Sequence, residues 1–374
     1  MKLPSEMTGV QLTGYGGLEK LVYRHDLPRP EPAEAEVLIQ ISAAGMNNTD
    51  INSRSGWYAK SVAEGTTESG GSEGFGVAEG GMGDWTGDIG FPRIQGADAV
   101  GRIVAVGPGV PESRIGEQVI CNPYLGVADD PDSLDQAGFL GAERDGAFAQ
   151  FMTMPASNAH ALPQDLDVPD TALATLPCSG GTAMNMLLMA GIKAGDVVLI
   201  TGASGGVGSF LVQIAKHLGA RVVALAGAAK RDAVLELGAD VAIDRSAEDW
   251  SEQARAASGS GGFTLVADVV GGAVFAELLA LLRRGGRYVT AGAIAGPVVQ
   301  LDLRTLYLKS LSFFGSAVFL SATFPTLLRV LAEGGLKPAV AEVSPLSAIR
   351  EAQERFLEKR HVGSLVLIPP PIEG

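Results

Sequence analysis

A glycine turn between two apolar runs constrains the fold of this 374-residue chain more than any other feature. The first run, Asp196 to Thr201, is short and rich in valine, leucine and isoleucine, which is typical of a parallel strand buried on both faces. Apolar residues then recur at helical spacing from Val207 to Leu218, and Gly219 ends the predicted helix. A second apolar run follows at Arg221 to Ala226. This order predicts a βαβ unit.

The turn itself indicates what the unit binds. Gly205, Gly206 and Gly208 allow a tight turn and a close approach of backbone N–H groups to an anion, while the helix points its positive end at a pyrophosphate. Glycine is also the default residue of any strand-to-helix turn. Because strand, turn, helix and second strand are all in place, we predict a dinucleotide site that also includes Ser204 and Val207.

The end of the second predicted strand indicates which dinucleotide is bound. A chain that binds NAD usually places Asp or Glu there, to accept hydrogen bonds from the adenosine ribose. This chain has Ala226 at that position, followed by Lys230 and Arg231. The two cations can pair with a 2′-phosphate, which favours NADPH over NADH. The alternative is that both are solvated residues on the first turn of the next helix.

Composition excludes several classes of protein. At 374 residues the chain predicts two domains. It has no apolar run that could span a bilayer and no signal-peptide core, so a cytoplasmic protein without a membrane partner is expected. Cys121 and Cys178 are the only cysteines, which excludes a disulfide framework. A net charge of −14 argues against nucleic acid as a partner.

The order of predicted elements divides the chain into three parts. Residues 1–170 show short strands separated by Pro and Gly, among them Gly146 to Met152, and end near a helical segment from Asp170 to Ala190. Residues 171–319 alternate strand and helix, which predicts an α/β fold with a doubly wound parallel sheet. Residues 320–374 look like a return to the first domain.

Residues 61–90 interrupt this pattern. The stretch holds ten glycines and six carboxylates and has no Lys or Arg, so it cannot easily build a core of its own. One interpretation is a mobile acidic surface loop. The other is a lid, in which Phe75, Trp85 and Ile89 close over a bound substrate.

Six motifs follow one another along the chain: Gly45-Met-Asn-Asn-Thr-Asp50, Gly96-Ala-Asp-Ala-Val-Gly101, Leu176-Pro-Cys-Ser-Gly-Gly-Thr-Ala183, the glycine turn, Asp268-Val-Val-Gly-Gly272 and Arg360-His-Val-Gly-Ser-Leu-Val-Leu-Ile-Pro369. In this order they resemble the medium-chain dehydrogenase/reductase superfamily, and within it the zinc-free quinone oxidoreductase branch. The resemblance implies a Rossmann sheet inserted in a GroES-like β-rich catalytic domain that both chain ends form. It also implies an active site in the cleft between the domains, and commonly a homodimer joined through the cofactor domains.

The departures from the family pattern concern the metal. Zinc alcohol dehydrogenases of this superfamily hold catalytic zinc with a Cys, a His and a second Cys, whereas this chain has Asn47, Ala97 and Cys178 at those positions. One thiol with an amide and a methyl group does not make a tetrahedral zinc site. We therefore expect no metal, and we expect Cys178 to be a small buried hydrophobe rather than a ligand or nucleophile.

Without a Lewis acid, the protein cannot strongly stabilise the negative charge that develops on a reduced carbonyl. We therefore expect NADPH to transfer its hydride to an acceptor that delocalises this charge itself, such as a quinone or an α,β-unsaturated carbonyl. Tyr58 matches a tyrosine that similar reductases place over the nicotinamide, and it could donate a proton; the alternative is a loop aromatic with a wet hydroxyl. Asn47 could orient the carbonyl or the nicotinamide ribose, or be a simple turn residue. The resemblance also places Thr182, Val270 and Ala291 beside the nicotinamide.

Two other functions remain open from the sequence. The first is a metal-independent carbonyl reductase or alcohol dehydrogenase, in which hydrogen bonds from the protein replace the metal. The second is a non-catalytic protein that binds NADPH as a sensor or structural component.

Overall fold

A computed structural model describes residues 3–77, 89–126, 130, 133, 138–163 and 165–372. Trp85, one of the three apolar groups of the predicted lid, lies outside the described residues.

The helices and strands follow one another in three groups. The first group is β1 (Glu6–Leu12), β2 (Leu21–Pro28), β3 (Glu36–Gly45), α1 (Asn48–Ser55), α2 (Glu68–Glu73), β4 (Arg93–Ile94), β5 (Val100–Val106), β6 (Gln118–Cys121), β7 (Tyr124–Leu125), β8 (Gly138–Phe139), β9 (Phe151–Pro155) and β10 (Ala159–Ala161). The second is α3 (Asp170–Leu173), α4 (Gly181–Met189), β11 (Val197–Ile200), α5 (Gly206–His217), β12 (Arg221–Ala226), α6 (Arg231–Glu236), β13 (Val241–Asp244), α7 (Trp250–Ala257), β14 (Phe263–Asp268), α8 (Phe275–Leu281), β15 (Leu282–Thr290), α9 (Leu303–Leu308) and β16 (Ser312–Gly315). The third is α10 (Thr323–Ala332), β17 (Val340–Pro345), α11 (Ile349–Leu357) and β18 (Ser364–Ile368).

The second group forms a six-stranded sheet in the order β13-β12-β11-β14-β15-β16. All of its strand pairs are parallel. The strand order reverses between β11 and β14, which opens a crevice at the carboxyl ends of these strands. The predicted doubly wound Rossmann sheet is therefore confirmed, and the glycine turn lies at the crevice.

The two ends of the chain share one β-rich sheet. Its strand order is β10-β6-β5-β3-β18-β17, and β9 pairs with β3 as well. β18 joins β3 in antiparallel pairing, with Val366 opposite Gly45. The predicted fold class, a Rossmann sheet inserted in a GroES-like domain, is thus confirmed. The exact boundaries 1–170, 171–319 and 320–374 stay a prediction, because Phe324 and Leu327 of α10 pack into the core of the Rossmann sheet.

The structure refines one predicted element and differs from another. The segment from Asp170 to Ala190 is two short helices, α3 and α4, separated by a π-helical turn at Leu176–Gly180. Pro177 in this turn lacks a backbone N–H, so a continuous α-helical ladder cannot run through it. The strand predicted at Gly146 to Met152 begins only at Phe151.

Among the described residues, none of the helices combines the length and the apolar character that crossing a bilayer requires.

Candidate active site

The glycine turn has the geometry that a bound pyrophosphate requires. Gly202 follows β11 with φ of +57°, a left-handed conformation that favours glycine. Gly205 precedes α5, which begins at Gly206. A Cβ on Gly208 would overlap the carbonyl oxygen of Gly202, so only glycine lets helix and strand approach this closely. The N–H groups of the first helical turn point into the crevice, where they can bind an anion.

A buried carboxylate shapes the neighbouring strand end. Asp268, at the end of β14, accepts hydrogen bonds from the Thr201 hydroxyl at 2.5 Å and the Tyr288 hydroxyl at 2.6 Å. It also accepts from the backbone N–H groups of Val270, at 2.9 Å, and Gly271. Asp268 therefore fixes the turn that carries Val270 at the edge of the crevice.

A cavity of about 420 Å³ lies at the carboxyl ends of β15 and β16. Ala291 lines it, whereas Asn47, Tyr58 and Val270 do not. The walls carry no charged side chain and consist of Trp57, Met189, Thr290, Ala291, Gly292, Ala293, Gly315, Ser316, Ala317 and Val318. The cavity thus suits an uncharged, largely apolar molecule.

The start of the glycine-rich stretch crosses the cleft between the domains. The N–H of Thr66 donates to the carbonyl of Ile294 at 2.9 Å, and a Cβ on Gly65 would meet the same carbonyl at 2.5 Å. Trp57 donates from its indole N–H to the carbonyl of Glu64 at 2.9 Å. Residues 64–66 therefore bound one side of the cleft.

Two of the apolar groups predicted to close over a substrate lie elsewhere. Neither Phe75 nor Ile89 lines the cavity. The N–H of Phe75 donates to the Ser55 carbonyl, and the N–H of Ile89 donates to the Tyr15 hydroxyl at 3.0 Å. Both residues are thereby fixed to the catalytic domain, and the contact with the Rossmann domain is made by residues 64–66 instead.

Asn47 is held by hydrogen bonds at both ends of its amide. Its Nδ2 donates to Asp98 Oδ2 at 2.8 Å, and its Oδ1 accepts from the Ser179 hydroxyl at 2.9 Å. Ser179 in turn lies beside the glycine turn, since a Cβ on Gly206 would be 2.6 Å from Ser179 Oγ. Asn47 therefore links the catalytic domain to the glycine turn, and one N–H of its amide is left for a bound molecule.

Two carboxyl groups are buried behind Asn47. Asp50 caps α1 by accepting from the Asn47 N–H at 2.8 Å, and Asp98 accepts from the Cys178 N–H at 2.6 Å. Burial raises the pKa of each carboxyl to about 7, and the hydrogen bonds that they accept oppose this rise. For Asp50 the nearby Asp98 raises the pKa further. The pair therefore titrates near neutral pH.

Tyr58 lies next to this group. Its hydroxyl donates to Thr49 Oγ1 at 3.4 Å, and its ring packs edge-on against Trp57 with centroids 5.5 Å apart. Burial raises the pKa of the Tyr58 hydroxyl, so it stays protonated at neutral pH. Its role as a proton donor stays a prediction.

Lys230 and Arg231 follow β12, as the sequence places them, but both make contacts with backbone carbonyls. The Lys230 ammonium donates to the carbonyls of Lys359 at 2.6 Å and His361 at 2.8 Å. Arg231 donates from Nε to the Ala242 carbonyl at 2.9 Å. The lysine therefore joins the Rossmann domain to the last segment of the catalytic domain.

Two family models match this chain. One, described as alcohol dehydrogenase GroES-like domain, matches residues 33–164, and the other, described as zinc-binding dehydrogenase, matches residues 206–333. A solved structure from Sinorhizobium meliloti 1021, described as a candidate alcohol dehydrogenase, is 47% identical with a TM-score of 0.89 and 98% coverage of both chains. The chain belongs to the medium-chain dehydrogenase/reductase superfamily.

Two of the similar curated proteins are named as oxidoreductases. The chain is 28% identical to the acryloyl-coenzyme A reductase of Sulfurisphaera tokodaii, over 92% of this chain and 95% of the relative. It is 25% identical to the human quinone oxidoreductase, over 97% of this chain and 98% of the relative.

Solved structures of superfamily members include both cofactor and metal complexes. A mycobacterial protein complexed with NADPH is 27% identical with a TM-score of 0.76, and the match covers 97% of this chain and all of that one. A Pyrobaculum aerophilum alcohol dehydrogenase with bound cobalt and zinc is 30% identical with a TM-score of 0.79, at the same coverage. Whether a metal fits this chain must therefore be decided from its own side chains.

The three positions that correspond to catalytic zinc ligands do not fit a zinc ion. Both ends of the Asn47 amide are engaged, and Ala97 is buried and offers no donor atom. Burial and the nearby Asp98 raise the pKa of the Cys178 thiol well above its usual range, and Thr182 forms a hydrogen bond to it. Across the part of the chain that the structure describes, no three His, Cys, Asp or Glu side chains are grouped to hold a metal.

Asn185, which the sequence analysis did not identify, binds the segment from Ser316 to Val318 that lines the cavity. Asn185 in α4 is fully buried, and its Nδ2 donates to Ser316 Oγ at 2.9 Å and to the Val318 carbonyl at 2.8 Å. Its Oδ1 accepts from the Leu320 N–H at 2.9 Å and the Thr323 hydroxyl at 2.8 Å. A polar residue in an otherwise apolar helix was the available signal.

Proposed function

We propose that this chain is an NADPH-dependent, zinc-free oxidoreductase that delivers hydride to a quinone or an α,β-unsaturated carbonyl. The observation that carries this proposal is the uncharged cavity at the carboxyl ends of β15 and β16, on the same edge of the parallel sheet as the glycine turn after β11. The names of two relatives agree with it, because a quinone and an acryloyl thioester both accept a hydride into a conjugated system.

The residues of the crevice fit a phosphorylated nicotinamide dinucleotide, whose bound nicotinamide supplies the hydride. Ser204, Gly205, Gly206, Val207 and Gly208 would hold the pyrophosphate through backbone N–H groups. Thr182, Val270 and Ala291 would border the nicotinamide, and Lys230 would lie near the 2′-phosphate. β12 ends at Ala226 instead of the Asp or Glu that would accept from the ribose hydroxyls of NADH and repel a 2′-phosphate.

The cavity explains why an activated acceptor is favoured. Its walls offer the ring of Trp57 and the side chains of Met189 and Val318, with hydroxyl groups from Thr290 and Ser316. Such walls exclude water and orient a flat conjugated molecule but do not polarise an isolated carbonyl strongly. A quinone or enone distributes its own developing charge, so a few hydrogen-bond donors suffice.

Two groups of the catalytic domain lie outside the cavity and would donate to the part of the reduced acceptor that extends past Trp57, the wall residue against which Tyr58 packs. Tyr58 keeps its proton at neutral pH because burial raises its pKa, and it would deliver this proton to the enolate oxygen. Asn47, fixed by Asp98 and Ser179, would use its remaining N–H to orient a carbonyl or a ribose hydroxyl. No step is assigned to zinc, because the donor set at Asn47, Ala97 and Cys178 does not fit it.

A panel of acceptors tests the proposal. Purified protein is mixed with NADPH or NADH and with a quinone, an enone, an acryloyl thioester or an aldehyde, and loss of reduced nicotinamide is followed at 340 nm. We expect turnover with the conjugated acceptors, a preference for NADPH, and no loss of activity after dialysis against a chelator. Turnover of aldehydes alone would favour a metal-independent carbonyl reductase, and tight NADPH binding without any turnover would favour a non-catalytic binding protein.

We also propose that the chain forms a homodimer through its Rossmann domain. Among the described strands β16 lies at the edge of the sheet, so one row of its backbone groups pairs with no other described strand. Exposed apolar side chains lie near it, with 64% of Leu303 and 63% of Tyr307 accessible. Exposed apolar groups beside an open strand edge favour a second copy of the same surface as the partner.

A further inference from the structure

Lys359 is a half-buried lysine that the proposed reaction does not yet use. It follows α11 with φ of +53°, a left-handed conformation that side chains rarely adopt. Its Nζ donates to Asn48 Oδ1 at 2.8 Å and lies 3.9 Å from the centre of the Phe356 ring. The Lys359 side chain is therefore held by contacts with α1 and α11.

The charge of Lys359 is not balanced by a carboxylate. Burial, together with the positive charge of Lys230, lowers the pKa of the Lys359 ammonium to about 7. Burial, together with Arg245, lowers the pKa of Lys230 as well. Neither lysine forms an ion pair within the described part of the chain; both donate to neutral oxygens instead. Neighbouring cations without a counter-ion are stabilised when an anion binds between them.

The position of this cluster relates it to the cofactor crevice. Lys230 follows β12, where a Rossmann fold holds the adenosine ribose. The segment that carries Lys359 then continues along the glycine turn, where the Gly363 N–H donates to the Ser204 carbonyl at 3.2 Å. Lys359 is therefore a cation of the catalytic domain that lies beside the cofactor end of the Rossmann sheet.

We propose that Lys359 is a specificity-determining residue that shares the 2′-phosphate of NADPH with Lys230, so that the two domains hold the phosphate jointly. This inference rests on the proposed use of NADPH. In this proposal Lys230 also positions Lys359. Its ammonium binds the carbonyls of Lys359 and His361 and so orients the turn from which the Lys359 side chain projects. NADH lacks the phosphate, so it gains nothing from Lys359.

Equilibrium binding tests the proposal without reference to turnover. NADPH, NADH, adenosine 2′,5′-bisphosphate and AMP are titrated into the wild-type protein and three variants by calorimetry. Lys359→Met should weaken binding of NADPH and of the bisphosphate by roughly 10- to 100-fold, because a charge-assisted hydrogen bond is lost. Binding of NADH and AMP should change by less than about twofold. Lys359→Arg keeps the charge and should retain a preference for the phosphorylated ligands.

Arg360→Met is the matched control. It removes one positive charge next to Lys359, but 85% of the Arg360 side chain is exposed and the guanidinium is 3.6 Å from Glu358. Its effect on NADPH binding should be small because exposed charges are screened. An equal loss in Arg360→Met and Lys359→Met would overturn the proposal, since the effect would then be one of net charge.

Failure of this inference can be told apart from failure of the proposed cofactor. If wild type prefers NADPH and Lys359→Met preserves the full preference, Lys359 does not contact the phosphate and only this inference falls. If Lys359→Met weakens NADPH and NADH equally, the residue serves the fold alone, and the inference falls too. If wild type binds NADH as tightly as NADPH, the proposed cofactor and the role of Lys359 fall together.

Discussion

Replacing Asn185 with leucine should damage both the stability of the protein and the shape of its acceptor cavity. Leucine matches asparagine in size but cannot donate or accept hydrogen bonds. The Val318 carbonyl and the Leu320 N–H would lose their partner in a partly buried place, so the cost of a fully buried group is an upper limit for each. The hydroxyls of Ser316 and Thr323 can rotate toward other acceptors, so the two backbone groups dominate the cost.

The cost can be estimated from these contacts. A buried backbone group without a partner costs about 1–3 kcal/mol, so Asn185→Leu should lower the free energy of unfolding by roughly 2–6 kcal/mol. With an unfolding entropy of about 2.1 cal/mol/K per residue, this corresponds to a fall in the melting temperature of roughly 3–8 °C. The segment from Ser316 to Val318 lines the cavity, so the KM for the acceptor should rise while the Kd for NADPH stays near its wild-type value.

Gln213→Leu separates stability from site geometry. Gln213 is another buried amide; its Oε1 accepts from the Lys337 N–H at 2.6 Å and its Nε2 donates to the Ser209 carbonyl at 3.2 Å. It does not line the cavity, so this variant should lose stability and keep its KM. Thermal unfolding and steady-state kinetics on both variants provide the comparison. If Asn185→Leu unfolds earlier but binds the acceptor as wild type does, the argument that Asn185 shapes the cavity is refuted.

Two further predictions concern the proton donor and the dimer. Tyr58→Phe should lower kcat by roughly 10²- to 10⁴-fold, with the Kd for NADPH unchanged, because a general acid is lost; a kcat within twofold of wild type would exclude this role. Leu303→Glu should convert a dimer to a monomer in analytical ultracentrifugation, because it buries a charge in the proposed interface. Leu235→Glu, at a residue that is 42% exposed on α6, is the control and should stay dimeric.

Local patterns were sufficient to predict the fold. The βαβ unit at Asp196 to Ala226 depends on apolar runs and glycines that are close in sequence, and the structure has strand, turn, helix and strand there as predicted. The return of the chain end to the first domain was predicted from family resemblance, and the pairing of β18 with β3 confirms it. The helical segment predicted from Asp170 to Ala190 is helical in the structure, but the spacing of apolar residues did not show that a π-helical turn at Leu176–Gly180 separates its two α-helices.

The hydrogen bonds of the site could not be predicted, because they join residues that are distant in sequence. The contact from Lys230 to the Lys359 carbonyl spans 129 positions, and that from Ser179 to Asn47 spans 132. Residue type showed that Lys230 and Asn47 can bind polar groups, but not that both are already engaged by the protein. The sequence therefore indicated the chemistry of the crevice, whereas the tertiary contacts determine which donors remain for a bound molecule.

The buried pair of carboxyls predicts how stability changes with pH. Burial raises the pKa of Asp98 to about 7, whereas an aspartate in an unfolded chain titrates near 3.9. Between these values the folded protein binds more protons than the unfolded chain, so the contribution of Asp98 to stability is present below about pH 4 and is lost as the pH rises to about 7. The slope is at most about 1.4 kcal/mol per pH unit for one group.

Asp98→Asn tests this sign, because the amide does not titrate. The free energy of unfolding of both proteins is measured by urea titration at each pH. The value for wild type minus the value for the variant should fall as the pH is raised from 5 to 7 and level off above pH 7. Asp232→Asn, at an exposed residue on α6, should run parallel to wild type. A difference that grows with pH would mean that Asp98 is ionised throughout this range, held so by the donors Asn47 and Cys178. In that case the two hydrogen bonds, rather than burial, would determine the charge behind the acceptor site.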